Sequence, residues 1–255
     1  MKKSKFLEVA LEAAKTAEQA IIKYYDSNIV AQLKADKSPV TLADTEAEKI
    51  IIEIIGETFP DHNFLGEESG EKITQSEYLW IIDPIDGTKN YMRGIPLFAT
   101  QIALMNKEDL ILGVSNAPAL NELLYAEKNY GAYCNDSRIS VSKIKDLAEA
   151  YMSFGNLKHF EKLQIIPNLI TLTQTTRNPR GFGDAWSYHL LAQGKMDIMI
   201  DAKTEIWDIA ALKVIVEEAG GRVTDLQGNS ITKATTSIVA TNVLLHELIL
   251  KTFSN

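Results

Sequence analysis

The stretch WIIDPIDGTKNYMRGIPLF, Trp80 to Phe98, sets two carboxylates three residues apart at the end of an apolar run. Asp83 and Asp86 follow Ile81 and Ile82 closely, and Gly87 and Thr88 come next. LWIID (79–83) reads as a short buried strand. Like charges this close repel, and burying them without a partner is costly. An arrangement of this kind calls for something positive between the acids.

Working outward, the chain before this stretch reads as helices. Phe6, Val9, Ala10, Ala13, Ala17, Ile21 and Tyr24 recur at spacings of three and four, predicting a helix over 5–25. A polar loop, KADKSPV (34–40), separates it from TLADTEAEKIIIEIIGETFP (41–60), a second helix. Thr41 with Asp44 resembles a capping box, and Pro60 stops the segment. Beyond Phe98 the texture is that of strands. FATQIALMN, LILGVSNAP and ELLYAEK are separated only by NKED and PALN, which predicts an antiparallel meander continued by GAYCNDSRISVS. From about residue 140, α and β alternate. AYMSFG and MDIMID read as strands, and KHFEKLQIIPNLIT as helical around its proline. DAWSYHLLAQG is a helix closed by Gly194, and DIAALKVIVEEAGG one closed by Gly220 and Gly221. RVTDLQGN is a strand and turn, and NVLLHELILKTF a last helix. The expected class is α/β, an α+β layered fold with mixed and antiparallel sheets. We expect one unit over 1–255, with an N-terminal lobe to about 140 and a C-terminal lobe from about 141 to 255.

At 255 residues the chain can bury a substantial core, and 45% apolar with 24% charged residues is the balance of a globular protein. A net charge of -8 argues against nucleic-acid or anionic-membrane partners. Cys134 is the sole cysteine, which rules out a disulfide within the chain and fits a reducing compartment, so a cytoplasmic protein is expected. Glu8, Glu12 and Lys15 interrupt the N-terminal segment, which reads as an amphipathic helix rather than a signal peptide. No apolar run approaches the length of a membrane span.

Acids recur at the ends of predicted elements: Glu67 and Glu68 in FLGEESG, Asp83 and Asp86, and Asp208 opening the helix after Trp207. Hard oxygen ligands from separate loops suit Mg²⁺. Taken singly, Asp83 and Asp86 could cap a turn and Asp208 a helix. Taken together in this order, they point to a metal site that would neutralise them. Glu68 and Glu71 read as solvated loop residues. The Gly87–Thr88 turn could offer backbone N–H groups to a phosphate. Zinc is disfavoured, because His62, His159, His189 and His246 form no metal motif, and His189 reads as a packed histidine. GEESG is not a serine-hydrolase elbow. Trp80, Trp186 and Trp207 read as core or pocket walls.

GEES (66–69), WIIDPIDGTKNY (80–91) and WDIAALKVIVEEAGG (207–221), in that order, resemble the inositol monophosphatase superfamily of Mg²⁺-dependent, lithium-sensitive phosphomonoesterases. The resemblance covers nearly the whole chain. It implies an αβαβα sandwich, usually dimeric, with two or three Mg²⁺ ions per active site. It implies that Glu67, Asp83, Asp86 and Asp208 bind metal, with Ile85 giving a backbone carbonyl. Asp44 matches an acid that pairs with Thr88 to orient the attacking water, and Glu67 counts with these two as catalytic. Gly87 and Thr88 match backbone donors to phosphate. Phosphoryl transfer needs mainly positioning and charge stabilisation, which suits such a set.

Residues 177–208 most resemble the histidinol-phosphate phosphatases of this superfamily. Asp184 opens a helix where inositol-preferring relatives usually carry a small neutral residue, and Asp201 matches the family's substrate-contacting acid. An acidic wall would favour the ammonium and imidazole of L-histidinol phosphate. Alternatively, Asp184 only caps its helix, and the substrate is inositol 1-phosphate or another small ester. Two other readings stay open. One is a haloacid-dehalogenase-type phosphatase with Asp83 as covalent nucleophile, although D-P-I-D-G-T is one residue longer than D-x-D-G-T. The other is a non-enzymatic, protein-binding member of the fold.

Overall fold

A computed structural model describes residues 3–25, 32–33 and 39–253; of the predicted polar loop, residues 34–38 lie outside these. Among the described residues, no helix is long and apolar enough to cross a membrane.

Helix α1 (Lys5–Tyr25) buries Leu7, Val9, Ala10, Ala13, Ala14, Ala17, Ala20 and Ile21. The alanines let α2 (Leu42–Thr58) pack closely against it. Thr41 caps α2, and Asp44 completes the predicted capping box. Between the two helices, β1 (Gln32–Leu33) and β2 (Pro39–Val40) form an antiparallel pair.

The meander is present. β3 (Asn63–Gly66), β4 (Gly70–Lys72), β5 (Tyr78–Asp86), β6 (Ala99–Asn106), β7 (Asp109–Ala117), β8 (Glu122–Glu127), β9 (Ala132–Cys134) and β10 (Ser137–Ile139) form one eight-stranded sheet. Its order is β10-β9-β8-β7-β6-β5-β3-β4. Only β3 and β5 pair in parallel within it. A short helix, α3 (Thr88–Tyr91), follows β5.

The remaining chain alternates: β11 (Tyr151–Phe154), α4 (Leu157–Lys162), α5 (Ile166–Thr175), β12 (Asn178–Arg180), α6 (Asp184–Ala192), β13 (Ile198–Asp201), α7 (Ile206–Glu218), β14 (Arg222–Thr224), β15 (Ile238–Thr241) and α8 (His246–Phe253). These strands make a mixed five-stranded sheet, β12-β11-β13-β15-β14.

Three apolar clusters define the layers. One joins α1 and α2 to the eight-stranded sheet. The second fills the space between the sheets around α6 and α7. The third lies between the five-stranded sheet and α4, α5 and α8. The fold is therefore a layered αβαβα sandwich. Helix α7 is apolar almost all round because it sits between two sheets. Its backbone docks directly on β7, where a Cβ at Gly113 would stand 2.2 Å from the Ala211 carbonyl oxygen. Each fully buried Ile or Leu of such a helix contributes about 1.5–3 kcal/mol.

Four local expectations need correction. KHFEKLQIIPNLIT is not one helix: Gln164, at φ +59°, breaks it, and Pro167 opens the second helix, where its missing N–H does no harm. The last helix starts at His246, after a strand, β15, that was not anticipated. A four-residue strand buried on both faces carries no alternation to betray it. Finally, the strand of the opening stretch runs on past Asp83 to Asp86, through a proline.

Candidate active site

Along a regular strand, residues three apart point to opposite faces. Asp83 and Asp86 escape this because β5 carries a bulge. Asp83 pairs with Gln101 and Asp86 with Ala99, so Pro84 and Ile85 together face Thr100 alone. The extra residue turns Asp86 back to the side of Asp83, and a bulge is also where a strand tolerates proline. Thr100 Oγ1 donates to the Pro84 carbonyl at 2.9 Å, and the Ile85 N–H donates to Asp83 Oδ1 at 2.9 Å.

Two other elements meet this bulge. Asp208, in the first turn of α7, accepts from the Glu205 N–H at 2.8 Å and from Thr204 Oγ1 at 3.1 Å. Carboxylate oxygens of Asp83, Asp86 and Asp208 lie within 4.8 Å of one another. Glu67 comes from the β3–β4 loop, where its N–H bonds the Ile82 carbonyl. Glu48 of α2 holds this loop. Its buried carboxylate accepts from the Glu68 N–H at 2.9 Å and the Ser69 N–H at 2.7 Å. A Cβ at Gly66, the last residue of β3, would stand 2.5 Å from that carboxylate, so any larger residue there would displace Glu48 from its present position. Glu48 did not stand out in the sequence. The signal available was its place one turn after Asp44, on the apolar face beside Ala47 and Ile51.

The charge density shows in the titration of these groups. Burial, then the Glu67, Asp86 and Asp208 charges, pushes Asp83 well above the usual carboxylate range. Burial, then Asp184 and Asp208, does the same to Asp86. Asp208 is raised to about 7, chiefly by burial. Among the described residues, no lysine or arginine forms an ion pair with Asp83, Asp86 or Asp208.

Glu67, Asp83, Ile85, Asp86, Gly87, Thr88 and Asp208 line a cavity of about 180 Å³, together with Lys89 and Asp184. Asp44 does not line it. It lies fully buried behind, its Oδ2 accepting from the Thr41 N–H at 2.7 Å and Thr41 Oγ1 at 2.6 Å. Its Oδ1 is buried with no partner, and burial raises Asp44 to about 6. The pairing of Asp44 with Thr88 is not formed in this structure, because Thr88 Oγ1 donates to the Ile85 carbonyl at 3.1 Å.

Asp86, Lys89, Asp184 and Asp208 also line an adjoining cavity of about 400 Å³, which Asp201, Tyr188, His159 and Lys203 enter from the other sheet's side. Asp184 does not cap α6 through its side chain. It accepts instead from Asn90 Nδ2 at 3.0 Å, while the Ala185 N–H donates to Asp86 Oδ2 at 2.6 Å. Burial raises Asp201 to about 7. Lys89 and Asn90 follow the central motif, but a lysine and an asparagine at a turn carry no distinguishing pattern. His189 is a packed histidine as expected, between Ser115 Oγ at 2.6 Å and Glu122 Oε2 at 3.4 Å.

The donor set at the bulge is all oxygen and crowded, and among the described residues no ion pair offsets its charge, although Lys89 borders the same cavity. These residues fit a divalent cation of the Mg²⁺ type, whose binding would relieve their repulsion. The two adjoining cavities share Asp86, Lys89, Asp184 and Asp208, so a cation at the carboxylate cluster would face the space bordered by Asp184 and Asp201.

Residues 2–255 match the inositol monophosphatase family. The chain is 37% identical over 250 residues to a histidinol-phosphatase of Mycobacterium tuberculosis, covering 96% of each. It is 38% identical over 216 residues to a fructose-1,6-bisphosphatase/inositol-1-monophosphatase of Thermotoga maritima, covering 84% of this chain and 82% of the other. Its fold superposes on the extragenic suppressor protein suhB from Bartonella henselae with a TM-score of 0.92 at 32% identity, covering 99% of each.

Proposed function

The chain belongs to the inositol monophosphatase family, and from that premise we propose that it hydrolyses L-histidinol phosphate to L-histidinol and phosphate with Mg²⁺. The observation that carries the substrate is the acidic wall. Asp184 and Asp201 border the cavity next to the carboxylate cluster, where they suit a cationic leaving alcohol. Similarity to the histidinol-phosphatase along almost the whole chain supports the same reading.

In this reading Glu67, Asp83, Asp86 and Asp208 hold Mg²⁺, with the Ile85 carbonyl. Mg²⁺ held by these residues would supply positive charge beside the phosphoryl group and would make water a better nucleophile. Each side chain then has a defined task. The Gly87–Thr88 turn offers N–H groups to phosphate oxygens. Thr88 Oγ1, which now donates to the Ile85 carbonyl, would be free to orient water if that carbonyl were committed to a cation. Asp44, raised to about 6, would take a proton at its free Oδ1 once Thr88 turns toward it, a pairing that the present Thr88–Ile85 hydrogen bond replaces. Asp86 ties the two parts together, because it accepts from the first turn of α6, the helix that carries Asp184. The set needs no covalent nucleophile, so no aspartyl-phosphate is expected at Asp83.

The test is phosphate release across a panel of small phosphomonoesters, with and without Mg²⁺. We expect kcat/KM for L-histidinol phosphate to exceed that for inositol 1-phosphate at least about tenfold, or roughly 1.4 kcal/mol of transition-state preference. A reversed ranking overturns the substrate and leaves the hydrolase in place.

A further inference from the structure

Tyr188 stands one helical turn after Asp184 on α6, and both line the larger cavity. The tyrosine is only 4% exposed, yet its hydroxyl bonds to no other described residue. The ring is buried, but the hydroxyl oxygen is not among the fully enclosed unpartnered atoms, so it opens to the cavity. Its neighbours on α6 show the contrast. Ser187 Oγ donates to the Gly183 carbonyl and meets Ser153 Oγ, and His189 is bonded at both ring nitrogens. Tyr188 therefore keeps a polar atom in reserve at the cavity. Burial, then the charges of Asp201, Asp86, Asp208 and Asp184, keeps that hydroxyl protonated well beyond its usual range.

The wall formed by α6 and β13 thus combines unlike groups. Ionised Asp184 and Asp201 can only accept hydrogen bonds, whereas a phenol can donate. A leaving alcohol whose head carries both N–H donors and an acceptor atom, as an amine with a neutral imidazole does, needs both kinds. Lys89, His159 and Lys203 can also donate into this cavity, but on the α6–β13 wall itself the phenol is the donor that stands beside Asp184 and Asp201.

We infer that Tyr188 is a specificity-determining contact, its O–H donating to an acceptor atom on the head of the leaving alcohol while Asp184 and Asp201 accept from that head's donors. The identity of the head rests on the histidinol-phosphate reading; the contact itself rests on the free hydroxyl and the cavity.

The experiment is steady-state kinetics of Tyr188→Phe, which keeps the ring and removes the hydroxyl. L-histidinol phosphate is compared with phenyl phosphate, whose leaving group has no polar head. We expect the ratio of kcat/KM values, histidinol phosphate over phenyl phosphate, to fall about tenfold, carried by KM rather than kcat. An unchanged ratio overturns the contact, whether both activities stay or both fall, and a thermal melt shows whether a shared fall comes from lost folding. If the wild-type protein prefers another ester, the substrate reading fails by itself. The same ratio is then measured on the preferred ester, where a fall supports the contact and a flat ratio overturns it.

Discussion

Asp83 shows how a residue that weakens the fold can serve a site. It is buried at the end of a strand, its carboxyl pushed up by burial and by three neighbouring acids. Asparagine has nearly the same shape and keeps the oxygen that accepts from the Ile85 N–H. In EDTA at pH 8, Asp83→Asn is expected to melt no lower than the wild type, because one charge of a repelling set is gone. Mg²⁺ should then fail to raise its melting temperature, and turnover should drop at least about a hundredfold. Melting curves with and without Mg²⁺, run beside a phosphate-release assay, check both halves. A variant that still binds Mg²⁺ and turns over near normally refutes the metal role of Asp83.

Among the elements, the β3–β4 loop depends on a partner far away in the chain. Glu48 on α2 accepts from two of the loop's N–H groups and fixes the segment that presents Glu67. Its removal takes the charged acceptor from two part-buried donors, and a hydrogen bond to a charged group contributes about 1.5–3 kcal/mol. Glu48→Ala is accordingly expected to lower stability by about 2–3 kcal/mol and to raise the half-saturating Mg²⁺ concentration about tenfold. Glu48→Gln, which keeps one acceptor, should fall between. Urea unfolding and a Mg²⁺ titration of activity separate the two effects. A loss of stability with unchanged Mg²⁺ response would make Glu48 a scaffold residue only.

Over the whole molecule, the site's acids make stability depend on pH in an unusual direction. Asp44 is raised to about 6, and Asp201 and Asp208 to about 7, from an ordinary value of 3.8. Raised acids leave the metal-free folded state holding more protons than the unfolded chain between about pH 4 and 7. Their contribution is therefore complete below pH 4 and is lost as pH rises to 7. Metal-free protein should melt at progressively lower temperature across this window, and the gain from added Mg²⁺ should grow with pH as protons leave the ligands. Scanning calorimetry in EDTA and in Mg²⁺ at several pH values tests this, and a metal-free stability that rises over the window contradicts it. Much of this arrangement was legible beforehand. Helical spacing marked α1, a capping box and a proline marked α2, closing glycines marked α7, short turns marked the meander, and three acidic motifs pointed to a site that calls for cations. These are properties of contiguous residues, set by local periodicity and by the cost of crowding like charges. Assembly decided the rest. The bulge that turns Asp86 to the face of Asp83, the grip of Glu48 on the Glu67 loop, and the free hydroxyl of Tyr188 beside Asp184 and Asp201 each depend on register or packing between distant segments. Distance along the chain says nothing about such contacts, so only the folded structure could bring them together.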